Sequence, residues 1–505
     1  MSELYDKLIP YMEKGIAYDS ALTLFQWDQE TQAPMEAQEH TSKIVGELSD
    51  SYMQVMVNND VKKILGKISS EKEMQKLTLK EKGIIKEWKK ICEELEDIPK
   101  EEYKAYSTLT AKASSIWARA KEQNDFSVFV PVLEELIAFK KKFIHYRKKH
   151  KEKYKKKRPY DILLEDFEPG FSMEQLDIFF EKIKKELVPF LHEVQKKCEN
   201  VDKSYNEQTY PVDKQQIFCK WLAGYIGFDF NKGVIQESAH PFTTNLHNHD
   251  VRITNHFYEK NLESAIFSVI HESGHALYEM GVDEDFTQTL LGGGTSMGMH
   301  ESQSRFFENV IGRSEAFWKP VYPKLVETYP EQLKNVSLNE FVQGINKVEP
   351  GLIRTESDEL SYNLHILVRY EIEKMIFEDK VKVRDLEKIW ADKYEEYLGI
   401  RPQTAAEGVL QDIHWACGDF GYFPSYAIGT AVAAQIYYHL KESMPIEEYL
   451  MQGNLVPIRE YLKEHIYKYG KIKNTNEILR DMTGEEFNVD YYIRYLKEKY
   501  KKLYW

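Results

Sequence analysis

Apolar residues recur at intervals of three and four along almost the whole chain, and strict alternation is scarce. Across Ser172–Leu191, for example, Leu176, Phe179, Phe180, Ile183, Leu187 and Phe190 fall on one stripe. That is the period of a helix with one buried face, whereas a strand repeats every second residue. The best strand-like run is Asp250–Phe257 (DVRITNHF), read as a short edge strand or extended segment. The spacing therefore predicts an all-α protein with a very small β component. Loop signals stand at Pro34 and at Ile98-Pro99, among several long helices in the N-terminal part. No Pro/Gly/Ser-rich linker, low-complexity tract or repeat divides the 505 residues, and a hydrophobic fraction of 42% suffices for a large core. One domain over 1–505 is expected. It would fold as two lobes around a cleft, with the helices up to about residue 150 as one wall.

Charge narrows the partners. Acidic residues number 82 against 68 basic, a net charge of −14, so the chain gains nothing from the phosphate field that draws proteins to nucleic acid. One basic run, Lys140 to Arg158, reads as a solvated helix face ending at Pro159; the alternative is a patch for a polyanion or acidic peptide. The four cysteines (Cys92, Cys198, Cys219 and Cys417) contain no CxxC pair. They form neither a disulfide framework nor a thiolate metal site, and they suit a reducing cytosol. The N-terminus shows no signal peptide. No apolar run reaches the roughly 18 residues of a membrane span. The nearest, Tyr426–Leu440, contains Gln435 and His439 and reads as a buried helix. A soluble, cytoplasmic protein is expected.

The chemistry concentrates in His271-Glu272-Ser273-Gly274-His275. A helix from about Asn261 to Met280, with Gly281 as its C-cap, carries this run and buries Ala265, Ile266, Val269 and Ile270. Two histidines four residues apart lie about 40° around the helix and one turn along it, so both imidazoles project the same way, as two ligands of a zinc require. Glu272 is placed to act on water without being a ligand. Small Ser273 and Gly274 would let another element approach closely. A catalytic metal needs a third protein ligand. His275 is followed by ALYEMG, with no further His. Glu279 is too close on the same helix. Glu301 follows the Gly292-Gly293-Gly294 turn, where a second helix begins, and a helix–loop–helix of this length can return it to the two histidines. The triple glycine is a turn and no phosphate loop, since no Gly-Lys-Ser/Thr follows. The expected chemistry is hydrolysis, in which the metal acidifies water and polarises a carbonyl while Glu272 carries the proton to the leaving amine.

Six further-reaching blocks, in order, carry a resemblance. They are His240-Pro241-Phe242, Asp250-Val251-Arg252-Ile253-Thr254, the HESGH, His300-Glu301-Ser302-Gln303, Ile353-Arg354-Thr355-Glu356-Ser357-Asp358, and Gly408-Val409-Leu410-Gln411-Asp412-Ile413-His414-Trp415, which runs on into Phe420–Tyr426. Similarity also reaches Trp27-Asp28-Gln29-Glu30-Thr31, Tyr160-Asp161 and Glu168-Pro169-Gly170, so nearly the whole chain is covered. The chain resembles the thermostable metallocarboxypeptidases of the carboxypeptidase Taq type, HExxH peptidases whose third ligand is Glu. Ser357 stands where that family often has Ala.

The resemblance implies ligands at His271, His275 and Glu301, a catalytic Glu272, an almost wholly helical fold with a deep groove, and a homodimer. It also points to Arg354 as the group that takes a peptide's terminal carboxylate, with Arg252 second; a guanidinium can bind a carboxylate with two parallel hydrogen bonds. Each has a plainer alternative, an ion pair with Asp358 or with Asp250 respectively. His240, His414, Tyr422 and Tyr426 are candidates for supporting the oxyanion or gripping the substrate backbone. Gln411 and Asp412 are expected to orient a ligand imidazole. One divalent ion per chain is implied, zinc first, with cobalt or manganese also served by a His/His/Glu set. The expected activity is removal of single residues, with broad specificity, from peptides bearing a free C-terminus. An endo-acting oligopeptidase or dipeptidyl carboxypeptidase on the same scaffold is the alternative enzyme. A metal-stabilised peptide-binding protein without turnover is the non-enzymatic one.

Overall fold

The computed structural model describes residues 2–95 and 97–505. The helices used below are α1 (Ile9–Thr31), α2 (Gln38–Met56), α3 (Leu79–Leu95), α4 (Lys100–Glu122), α5 (Val130–His150), α6 (Pro159–Phe167), α7 (Met173–Cys198), α8 (Leu262–Gly281), α9 (Met297–Arg305), α10 (Glu359–Phe377), α11 (Phe423–Ser443) and α12 (Asp490–Tyr504). Helices dominate, as the periodicity predicts, because few stretches lack an apolar stripe. The six apolar residues chosen from Ser172–Leu191 are all buried along α7, which starts at a Ser172 side-chain cap.

The only sheet among the described residues has three strands: β1 (Gly233–Glu237), β2 (Thr243–His247) and β3 (Asp250–Asn255). Their order is β1-β3-β2, parallel for β1 with β3 and antiparallel for β2 with β3. The run expected at an edge is therefore the central strand. Val251 and Ile253 are its buried alternate residues, which is why it alone showed period two. Its neighbours are solvated or half-buried on both faces and carry no such signal.

Two hydrophobic cores hold the chain together. The smaller gathers Tyr5, Leu8, Met12, Met56, Ile84, Trp88 and others from the first 92 residues, joined by Leu291. The larger takes in the rest, from Ala113 to Tyr500. Helix α1 is long yet buries only Met12, Gly15 and Trp27. Trp27 meets Phe242 edge-on with centroids 5.6 Å apart, docking the N-terminal helices against the sheet beside α8. No described helix is long and apolar enough to cross a membrane. The basic run does not continue as helix to Pro159. Helix α5 ends at His150, and Pro159 opens α6. Several of its cations are ion-paired, among them Arg147 with Asp166 and Lys153 with Glu93.

The segment that positions the chemistry is α8 against α9 against α11. Backbones meet here because glycine removes the side chain in the way. A Cβ at Gly274 would lie 2.7 Å from Gln303 O and Ser304 Cα on α9, and one at Gly429 on α11 would lie 2.6 Å from the Glu301 Cβ. Helix α8 starts at Asn261, whose side chain caps Ser264 N. It runs through Gly281, so that glycine is no left-handed cap. It is small because Tyr467 packs where its side chain would be.

Candidate metal centre

Helix α8 is buried on nearly every face, so its polar residues must be paired to remain inside. His271 and His275 project from one stripe, rings edge-to-face with centroids 4.8 Å apart. Helix α9, starting from a Ser296 side-chain cap, brings Glu301 over them. The Glu301 Oε2 lies 3.7 Å from His271 Nε2 and 3.6 Å from His275 Nε2. Among the described residues these three form the one group of His, Cys, Asp and Glu side chains able to hold a metal ion, with all ligand atoms within 4.8 Å of one another. Those separations exceed a hydrogen bond. They approach the roughly 3.4 Å expected between donors each about 2.1 Å from a shared tetrahedral centre. Two imidazole nitrogens and one carboxylate oxygen suit a divalent cation. The donor set fits.

What holds each of these three side chains differs. His271 Nδ1 lies 2.8 Å from Glu308 Oε2, and Arg305 donates to Glu301 Oε1 at 2.6 Å and to Glu308 Oε2 at 3.2 Å. One guanidinium therefore leaves Glu301 with only its second oxygen for an ion. Glu308 lies on a π-helical segment, Phe306–Ile311, continuing from α9. The carbonyl of Asn309 in that segment accepts from Tyr495 Oη at 3.1 Å and Lys499 Nζ at 3.2 Å on α12.

His275 Nδ1 faces His300 Nδ1 at 2.5 Å, and His300 Nε2 faces Glu279 Oε1 at 2.6 Å. If His275 presents Nε2 as a lone pair, its proton sits on Nδ1. His300 must then accept with Nδ1 and donate from Nε2 to the carboxylate. The triple-glycine turn completes this chain, Gly294 N donating to Glu279 Oε1 at 3.2 Å. Gly293 there has φ +116°, a conformation glycine reaches without strain.

Electrostatics agree with ion binding. Burial lowers the His275 pKa to about 3, helped by His300 and His271, so its imidazole is neutral. Burial also opposes charge on Glu301 and Glu308. Arg305 and the histidines outweigh it, holding Glu301 far below the carboxylate range and Glu308 down to about 2. Burial works against a charged His271, but Glu301 and Glu308 prevail and raise its pKa. A cation and a proton thus compete for that nitrogen. Glu272 is buried beside His271 and receives a 2.5 Å hydrogen bond from Thr243 Oγ1 on β2. Burial raises its pKa, which suits a group that must both take and release a proton.

The family model of the carboxypeptidase Taq (M32) metallopeptidases matches residues 7–500. The chain belongs to that family. This M32 metallocarboxypeptidase, a hydrolase of peptide bonds, is similar to Carboxypeptidase 1 of Bacillus subtilis, 43% identical over 490 residues and 96% of each chain. It is also similar to Thermostable carboxypeptidase 1 of Pyrococcus furiosus, 35% identical over 493 residues and 96% of each. Its structure resembles the M32 carboxypeptidase of Deinococcus radiodurans R1, with a TM-score of 0.94 at 32% identity, covering 99% of both chains.

The remaining residues expected from sequence fall in two places. Arg354 is buried, but its partner is Asp412, not Asp358. Nε and Nη2 lie 3.1 and 2.9 Å from Asp412 Oδ1, and Nη1 donates to Tyr362 Oη at 3.1 Å. Asp358 instead caps α10, accepting from Leu360 N and Ser361 N. Asp412 also takes Arg369 Nε at 2.7 Å, so two buried guanidiniums share one carboxylate and a positive charge is left over. Gln411 accepts from Arg354 N at 3.0 Å. Neither Gln411 nor Asp412 reaches the imidazole of His271 or His275; Glu308 and His300 occupy those places. Arg252 is bound at both ends by Asp250, at 2.8 and 2.9 Å, over the Trp27 ring, so its charge is spent. Tyr422 and Tyr426 stand with ring centroids 5.2 Å apart, and Tyr426 Oη lies 3.2 Å from His414 Nε2. Burial pushes the Tyr422 phenol up to about 12, with Glu301 adding to it, and lowers His414 to about 4. His240 is exposed between β1 and β2.

Sequence reasoning missed Glu308, His300, Arg305, Thr243 and Arg369. His300 adjoins Glu301, and Glu308 follows Glu301 by seven residues, two helical turns; that spacing was the available signal.

Proposed function

We propose that this metallocarboxypeptidase removes single C-terminal residues with Glu272 as general base and a zinc ion at His271, His275 and Glu301. The observation that carries the exopeptidase direction is the buried Arg354–Asp412–Arg369 cluster, whose surplus positive charge suits a peptide's terminal carboxylate. Arg354 reaches Tyr362, and the Tyr362 ring lies 4.1 Å from the Arg305 guanidinium that holds Glu301. The carboxylate site and the ligands are therefore neighbours.

A zinc ion bound there supplies Lewis acidity, polarising the scissile carbonyl and acidifying water. Glu272, oriented by the Thr243 hydroxyl, accepts the proton from the attacking water and returns it to the leaving amine. Tyr422 and Tyr426 stay protonated at neutral pH because burial raises both phenols, so each is able to donate to the developing oxyanion. Arg354 positions the chain end. Cys198 and Cys219 are buried and in no disulfide, which accords with a reducing cytoplasm, and we extend the proposal to a homodimer, which light scattering tests.

The deciding experiment is mass-spectrometric digestion of one peptide, with a free or an amidated C-terminus, by zinc-loaded wild type and Glu272→Gln. Stepwise loss of single residues from the free acid only, and by wild type only, is the expected result. Internal cuts indifferent to amidation would replace the proposal with an oligopeptidase.

A further inference from the structure

A cavity outside the metal centre has charge and volume that the chemistry above does not use. A cavity of about 570 Å³ lies between α3, the α5 and α6 helices, and the turn at Thr295 and Ser296. On α3, Lys82, Lys86, Lys89 and Lys90 share one stripe and all line it, with Lys471 opposite. None of the five forms an ion pair with a described residue. Three lining carboxylates are already paired, Glu93 with Lys153 and Asp166 with Arg147, cations that also line the cavity, and Glu165 with Lys157. That leaves Glu87 and Glu94 against five cations, and burial raises the Glu94 carboxyl, thinning its charge further. In a chain of net charge −14, a positive cavity is a departure from the surroundings.

Its direction follows from α9. Ser296 borders the cavity and caps that helix. Glu301 lies mid-helix, and Arg305 at the far end meets Tyr362, the partner of Arg354. A peptide with its terminal carboxylate at Arg354, cut beside Glu301, runs its preceding residues back toward Ser296. From Ser296 to Glu301 is about 7.5 Å of helix rise, or roughly two residues of extended peptide. Met297, one turn before Glu301, is 48% exposed along this path.

We infer that the cavity is the subsite for substrate residues upstream of the cut, and that it selects acidic side chains at the third to fifth positions from the C-terminus. This rests on the carboxypeptidase direction proposed above. The test uses three peptides that share a C-terminal residue and carry Glu, Gln or Lys at those positions, compared by kcat/KM. At low ionic strength the Glu peptide is expected to exceed the Lys peptide by about tenfold, with Gln between them. The ratio should collapse toward one at about 1 M salt, where the screening length is roughly 3 Å. It should also fall toward one in the Lys82→Gln/Lys86→Gln/Lys89→Gln/Lys90→Gln protein; should that variant not fold, the salt series on wild type decides. Equal rates on all three peptides at low salt, or a ratio that neither salt nor the substitutions change, overturn the inference alone. Wild type that removes a C-terminal residue from none of them overturns the carboxypeptidase direction, and the inference with it.

Discussion

His271 and His275 sit one helical turn apart and face the same point, yet the protein supports them in opposite ways. His271 meets a carboxylate directly, and that carboxylate is part of a charged network with Arg305 and Arg313. His275 meets another imidazole, and the carboxylate, Glu279, stands one residue further away. The first arrangement is electrostatically strong and would hold a proton as readily as a cation. The second transmits direction through neutral rings and leaves its histidine uncharged. Buried ligands must be both oriented and kept free of protons. If these histidines hold the proposed ion, the two tasks are divided between the two sides.

Breaking the charged side should cost most. Glu308→Gln removes the charge beneath His271 and leaves Arg305 and Arg313 less compensated. Zinc affinity, measured by chelator competition, is expected to fall about 100-fold, the upper end for such partners. Breaking the relay should cost less. His300→Phe leaves His275 without an acceptor, and a loss of about tenfold is expected. Glu279→Gln keeps a hydrogen-bond acceptor for His300, so its loss should be smaller still. If the relay variants lost more than Glu308→Gln, the division of tasks would be wrong.

The third comparison is of pH. Glu308 has its pKa lowered in the fold to about 2, so the metal-free protein draws stability from it above the ordinary carboxylate pKa, and loses it as pH falls toward 2. Glu168 behaves in reverse. It is buried under the start of α9, accepts a hydrogen bond from Gly298 N, and burial raises it to about 7. Its contribution is complete below the ordinary carboxylate pKa and is lost as pH rises through about 7. In the apo protein, Glu168→Gln should therefore flatten the decline of Tm between about pH 4.5 and 7, by roughly a few degrees. The same substitution should leave the acid limb unaltered. An unchanged decline over that range would remove Glu168 from the account.

These supports explain why some of the molecule was legible in the sequence and some was not. A helix announces itself by a local period, and His271, Glu272 and His275 share one helix, so their common face could be read directly. Glu301 required only that a short connection return. The partners of Arg354 could not be read, because Asp412 is 58 residues away and reaches it from another part of the fold. Glu308 was hidden for a different reason. It lies on a π-helical segment, and the carbonyl of Asn309 in that segment is held by residues of α12, almost 200 positions on. The sheet misled in the same way: β3 showed its buried alternation, but strand order is set by β1 and β2, which bury too little to signal.

Equilibrium competition of zinc against a chelator, with wild type and Glu301→Gln, tests the central claim most directly. One ion per chain in wild type, and an affinity reduced at least about 100-fold in the variant, is the predicted result. An unchanged stoichiometry and affinity in Glu301→Gln would mean that His271, His275 and Glu301 do not form the metal site.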